Sequence, residues 1–165
     1  WYYTGGRRPY GYVGLGELFV FLFFGLVAVG GTVYIQVGRV SPSAWWTAIA
    51  IGALACAILV ANNLRDLDGD RAAGKHTMAT RLGDSGTRRF FVGLLAVAAI
   101  GVFGVAATSS WWALLGWFMV LALVGPIRVV LRGVSGRALI PVLKQTGLAE
   151  LACAAGLFVG LVIAR

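Results

Sequence analysis

Five long apolar runs dictate what this chain can fold into. They cover about Glu17–Val37, about Ser43–Ala61, the residues after Arg89 to about Thr108, Trp111–Gly125, and a last run that closes at Arg165. An α-helix needs roughly 20 apolar residues to cross the hydrocarbon core of a bilayer. Four runs suit that length. The fourth in order, ended by Pro126, is short and crosses only if tilted or extended past the proline. Backbone groups in lipid must bond within their own segment or in a closed barrel. The runs lack the alternation of barrel strands. The sequence therefore predicts an all-α, polytopic transmembrane helix bundle, with residues 1–165 as a single transmembrane domain. Its 12% of charged residues, against about 25% in soluble domains, agrees. Glycines inside runs, such as Gly93, Gly101 and Gly104, are expected to let helices approach closely.

Charge orients the bundle. Twelve of the fourteen Lys and Arg residues fall in three alternate loops, around Arg7–Arg8, Arg65–Arg89 and Arg128–Lys144. Only Arg39 and Arg165 lie on the other side. Positively charged loops stay in the cytoplasm, so the three polar loops are expected there, in a plasma-membrane protein surrounded by lipid. Glu17 and Glu150 are expected near the cytoplasmic ends of their helices. The net charge of +8 gathers on no soluble face, which argues against nucleic-acid binding. Cys56 and Cys153 stand inside apolar runs and read as small buried side chains. Tyr2, Tyr3, Tyr10, Tyr12, Trp111 and Trp112 read as interfacial aromatics. The chain opens at Trp1 without a signal-peptide pattern, and is expected to be part of a longer protein.

The polar chemistry is concentrated between Ala61 and Gly83. This stretch holds Asp66, Asp68 and Asp70, half of all the acids, with Arg65, Arg71, Lys75, Arg81 and the single His76. If the second helix continues past Ala61, Asn62, Asp66 and Asp70 recur every four residues and share a face. Three oxygen-bearing side chains in a row suit a hard cation. Magnesium is usually held by one or two carboxylates plus substrate phosphates. Arg65, Arg71, Lys75 and Arg81 would neutralise phosphate oxygens. Gly69 and Gly74 are expected to loosen the helix. The opening Asp66-Leu67-Asp68-Gly69-Asp70 is similar to a calcium-binding EF-hand loop, but Arg71 and Thr77 stand where that loop needs Gly and Glu. His76, without a second His or Cys nearby, reads as a solvent or headgroup contact.

The pattern N-x-x-x-D-x-x-x-D-R-x-x-G-K-x-T, from Asn62 to Thr77, resembles the second aspartate-rich motif of the UbiA superfamily of intramembrane prenyltransferases. Ala79-Thr80-Arg81-Leu82-Gly83 continues the likeness. The opening Tyr3-Thr4-Gly5-Gly6-Arg7-Arg8-Pro9-Tyr10-Gly11-Tyr12, with Gly14-Leu15-Gly16-Glu17, resembles the menaquinone-pathway branch, which prenylates 1,4-dihydroxy-2-naphthoate. The five spans would be the last five of that family's nine helices. The resemblance implies that magnesium binds the diphosphate of a polyprenyl diphosphate, and that 1,4-dihydroxy-2-naphthoate attacks the allylic cation with loss of carbon dioxide, giving demethylmenaquinone. It implies Asp66 and Asp70 as catalytic magnesium ligands with Asn62 as a helper, and Arg65, Arg71 and Lys75 as diphosphate contacts. The family's first aspartate-rich motif has no counterpart in these residues. The chain alone is therefore expected to be inactive, its partner being the missing N-terminal helices of the same enzyme. Other acceptors, such as 4-hydroxybenzoate or homogentisate, fit the same motif. A non-catalytic membrane module is the reading from another class. A transporter would want ionisable groups deep within the spans.

Overall fold

The computed structural model describes residues 14–164. Five helices in it are long and apolar enough to cross a membrane: α1 Gly16–Val37, α2 Pro42–Arg65, α4 Met78–Thr108, α5 Trp111–Leu131 and α6 Gly136–Ile163. A short helix, α3 Leu67–Ala72, lies between α2 and α4. Among the described residues there is no strand. Tyr2, Tyr3, Tyr10, Tyr12, Arg7 and Arg8 lie outside them.

The first hairpin follows from local chemistry. Gly38 takes φ 74° and its N–H returns to the Tyr34 carbonyl at 2.7 Å, ending α1. Ser41 then caps α2 by accepting from the Ala44 N–H at 3.2 Å, with Pro42 in the first turn. α2 is the central helix. Its small residues, including Ala48, Ala50, Ala53, Ala57 and Ala61, are fully buried, so neighbouring backbones come close. A Cβ on Gly101 of α4 would stand 2.9 Å from the Ala50 nitrogen, and one on Gly104 would enter the Trp46 indole. Gly156 and Gly160 of α6 press in the same way on the Leu115 and Trp112 carbonyls of α5. Gly93 is different: nothing lies within 4 Å of the place its Cβ would take. It faces away from the helix contacts expected of it.

Three boundaries differ from the sequence expectation. α4 begins at Met78, ahead of the apolar run, because Thr77 caps it by accepting from the Thr80 N–H. Gly83, at φ 70° and ψ 179°, then breaks it. α5 passes through Pro126 to Leu131, and α6 begins at Gly136. The expected loop from Ile127 to Gln145 thus shrinks to four residues, 132–135. Arg128 lies in the last turn of α5, where the macrodipole favours a cation, Arg132 follows its end, Arg137 opens α6 and Lys144 lies about two turns into it. Finally, residues Phe21–Gly30 of α1 are π-helical.

The outer surface is apolar, with Ile35, Leu121, Phe158 and Trp111 all well exposed. This is the surface of a multi-pass membrane protein. The ion pairs of the described residues gather at one end. Asn63 donates to Glu17 Oε1 at 2.9 Å, tying the start of α1 to the end of α2. Arg88, buried, forks onto Asp84 at 2.7 and 2.6 Å and donates to the Val130 and Val134 carbonyls at 2.6 and 3.0 Å. It caps the end of α5, where carbonyls lack intrahelical partners.

Candidate functional site

The site forms where α2 gives way to α3. Asp66, at φ −95° and ψ 5°, ends one helix and opens the other. Its N–H donates to the Asn62 carbonyl at 3.1 Å, and the Asp70 N–H donates to the Asp66 carbonyl at 2.8 Å. The four-residue repeat therefore survives the break, and Asn62, Asp66 and Asp70 follow one another a turn apart. Leu67, buried, anchors α3 to the core.

Gly74 turns the chain back. At φ 67° it adopts a left-handed conformation after α3. Its N–H donates to the Arg71 carbonyl at 3.1 Å and that of Lys75 donates to the Asp70 carbonyl at 2.9 Å. This pair of bonds is a Schellman cap. It swings Lys75 over the helix end, where Nζ meets Asp70 Oδ1 at 2.7 Å. Thr80 Oγ1 secures the turn by donating to the Lys75 carbonyl at 3.1 Å. Gly69, by contrast, keeps ordinary helical geometry and loosens nothing.

Both carboxylates carry cations. Arg65 Nε and Nη2 donate to Asp66 Oδ1 and Oδ2 at 2.7 and 2.6 Å, a bidentate fork. This fork holds the Asp66 carboxyl below the usual carboxylate range against partial burial, and the Arg65 and Lys75 charges push the same way. Asp66 is thus ionised at neutral pH, and one ammonium acts on both acids. Asp70 is buried. Arg71 pairs with neither acid; it is exposed, its Nη2 3.8 Å from where a Cβ on Gly83 would stand. Arg81 lies beside Gly14, as does the His76 carbonyl. Among the six residues expected to form the site, four are joined in two ion pairs, Arg65–Asp66 and Lys75–Asp70. Asn62 stands at the head of a groove.

Two apolar grooves run along α2. The smaller, about 350 Å³, is lined by Val20, Phe24, Ile58, Asn62, Leu143 and Glu150 among others. The larger, about 640 Å³, takes in Val29, Thr47, Ile51, Phe158, Leu161 and again Glu150. Glu150 is not near a helix end, as its place after the basic loop suggested. With α6 running from Gly136 to Ile163, it is mid-helix. A carboxylate at the centre of a membrane helix costs about 2.5–3.5 kcal/mol on insertion scales. The expectation missed this depth because α6 starts earlier than the apolar run.

Two carboxylates and one amide, a turn apart, are the kind of oxygen donors a hard cation takes. Among the described residues no cluster of three His, Cys, Asp or Glu side chains could cage a metal unaided. The residues fit an ion that keeps its waters and shares phosphate oxygens, as magnesium does.

The UbiA prenyltransferase family model matches residues 1–139. The chain belongs to the UbiA prenyltransferase family. It is 51% identical over 153 residues to the 1,4-dihydroxy-2-naphthoate octaprenyltransferase of Mycobacterium tuberculosis, covering 92% of this chain and 51% of that protein. It is 40% identical over 149 residues to the enzyme of the same name from Escherichia coli, covering 87% and 47%. It is 37% identical over 106 residues to human UbiA prenyltransferase domain-containing protein 1, covering 64% and 31%. The chain thus spans about half the length of the bacterial relatives it matches. No solved structure matches it. The Asn62–Thr77 motif falls within the matched residues, and the resemblance drawn from it holds.

Proposed function

We propose that this chain carries the diphosphate-binding half of a magnesium-dependent aromatic prenyltransferase of menaquinone biosynthesis. The reaction moves a polyprenyl group from polyprenyl diphosphate to 1,4-dihydroxy-2-naphthoate. The C1–O bond to diphosphate breaks, a ring carbon bonds to C1, and carbon dioxide leaves that carbon, giving demethylmenaquinone. The observation carrying this reading is the 51% identity, over nearly the whole chain, to a relative named for that acceptor.

Asp66 and Asp70, with Asn62, would hold magnesium, which when bound neutralises the diphosphate and helps it leave. Lys75 is poised to trade its contact with Asp70 for a diphosphate oxygen. Arg65, now forked on Asp66, and Arg71 would add further contacts. Preorganised cations of this kind act where negative charge grows on the leaving group. An apolar groove along α2 would take the prenyl tail and keep water from the allylic cation. The Asp-rich end faces the cytoplasm of a plasma membrane, by the excess of Lys and Arg in its loops.

A membrane-inserted chimera joining the N-terminal half of the Mycobacterium tuberculosis relative to this chain tests the reading. With magnesium, a prenyl diphosphate and 1,4-dihydroxy-2-naphthoate it should form the prenylated, decarboxylated product, and should prefer that acceptor to 4-hydroxybenzoate and homogentisate. A folded chimera that makes no product from any of the three would refute it.

A further inference from the structure

The smaller groove ends on an acid that has no structural employment. Glu150 is half-buried at mid-helix and makes no hydrogen bond or ion pair with any described residue. Several other polar side chains in the bundle are engaged: Glu17 accepts from Asn63, Thr146 donates to the Val142 carbonyl, and Arg88 holds Asp84. α2 and α6 run in opposite directions, so Leu143 lines the groove at the Asn62 end and Glu150 lies deeper, with Ala55. Ala55 is seven residues from Asn62, about 10 Å along the axis. The groove is therefore an apolar slot with the Asn62 amide at one end and the Glu150 carboxyl group deeper along it.

Glu150 lines both grooves, but only the smaller one reaches Asn62. A flat aromatic ring bearing hydroxyls suits it: it presents apolar faces to Val20, Phe24 and Ile58 and an O–H donor to the acid. The volume, about 350 Å³, also lies within the span of small-ligand sites, roughly 300–1,000 Å³. We propose that the smaller groove seats the aromatic acceptor, a naphthalene-type diol, with Glu150 accepting a hydrogen bond from a ring hydroxyl. The larger groove is then left to the prenyl tail. The hydrogen bond fixes which ring edge faces Asn62, and it draws the hydroxyl proton outward, enriching the ring carbon that attacks. The inference rests on the reading given under Proposed function.

The test is binding to the 165-residue chain in lipid nanodiscs. The probes are 1,4-dihydroxy-2-naphthoate and its 1,4-dimethoxy ether, which keeps ring and carboxylate but lacks both O–H donors. The chain should bind the diol about fivefold or more tightly than the ether, the difference one hydrogen bond makes. Glu150→Leu should remove that preference and leave ether binding unchanged. Glu150→Gln, nearly isosteric and still an acceptor, should keep a reduced preference, and serves where the leucine variant does not fold. Equal binding of diol and ether, no binding of the diol, or a preference that survives Glu150→Leu would overturn the inference. Binding of geranylgeranyl diphosphate with magnesium, and its loss in Asp70→Asn, is measured alongside. If that fails while the Glu150 effect stands, the enzyme reading falls and the diol seat remains. If it holds while Glu150 is silent, the diol seat alone falls.

Discussion

Replacing Gly74 with alanine isolates the turn that brings Lys75 to Asp70. An L-residue in the left-handed region costs about 1–2 kcal/mol. No atom lies within 4 Å of the added Cβ, so neither clash nor new packing changes that figure. Alanine also narrows the unfolded or opened turn, which offsets about 0.4–1 kcal/mol. The net is about 1 kcal/mol against the closed turn, a factor of about five in its opening equilibrium. Amide hydrogen exchange reads that equilibrium directly. The Lys75 N–H, bonded to the Asp70 carbonyl at 2.9 Å, should exchange about fivefold faster in Gly74→Ala. The Asp70 N–H, which bonds back to Asp66 before the turn, should change much less. Gly74→Asn should fall between, because asparagine tolerates this conformation. Affinity for a prenyl diphosphate should drop by no more than the same factor, since only the population of the closed turn has changed. Unchanged Lys75 exchange in the alanine variant would refute the link from Gly74 to the site, and so would an asparagine variant as fast as alanine.

Three further outcomes are expected. Arg88→Ala leaves the Val130 and Val134 carbonyls and Asp84 without their cation, and should lower stability by about 2–3 kcal/mol in a thermal or denaturant assay; a loss below half that would deny the cap its role. Gly101→Ala drives a methyl against the Ala50 backbone and should cost about 1–3 kcal/mol, whereas Gly93→Ala, facing open space, should be neutral or better; equal effects would contradict the packing described. Asp66 should titrate below an ordinary carboxylate by NMR, and Arg65→Gln should raise it toward the usual range. Because its folded value is depressed, the Arg65–Asp66 pair contributes above the usual carboxylate range and is lost as pH falls through the folded value. Stability should therefore hardly change between neutral pH and about pH 5, and any contribution is small for so exposed a pair, about 0–1 kcal/mol.

How much of this was legible in the sequence depends on the kind of signal. Gly38, Ser41 and Pro42 announce the first hairpin because capping is local, and uninterrupted apolar runs announce spans because lipid leaves the backbone no alternative. The four-residue spacing of Asn62, Asp66 and Asp70 likewise survived a helix break that hydropathy could not foresee. Other features depend on distant partners. Arg88 looks like any loop-flanking charge until α5 ends beside it. Gly93 and Gly101 are indistinguishable in sequence, yet only the second meets another helix. Pro126 reads as a stop unless the short fourth run extends past it, and α5 does extend to Leu131. Glu150 reads as peripheral because the basic residues before it read as loop, and their helical placement moves it to mid-helix. Asn63 carries no mark that separates it from Asn62, although one holds Glu17 and the other opens on a groove.

The most direct measurement is magnesium-dependent binding of geranylgeranyl diphosphate to the chain in lipid nanodiscs, for the wild type, Asp66→Asn and Asp70→Asn. Even outer-shell partners of a metal site are worth about 10–100-fold in affinity, and a carboxylate that holds the ion should cost at least as much. Tight binding with magnesium, lost on chelation and weakened on that scale in both variants, is the expected result. Affinity indifferent to the metal, or either variant binding like wild type, would contradict the role given to the two carboxylates.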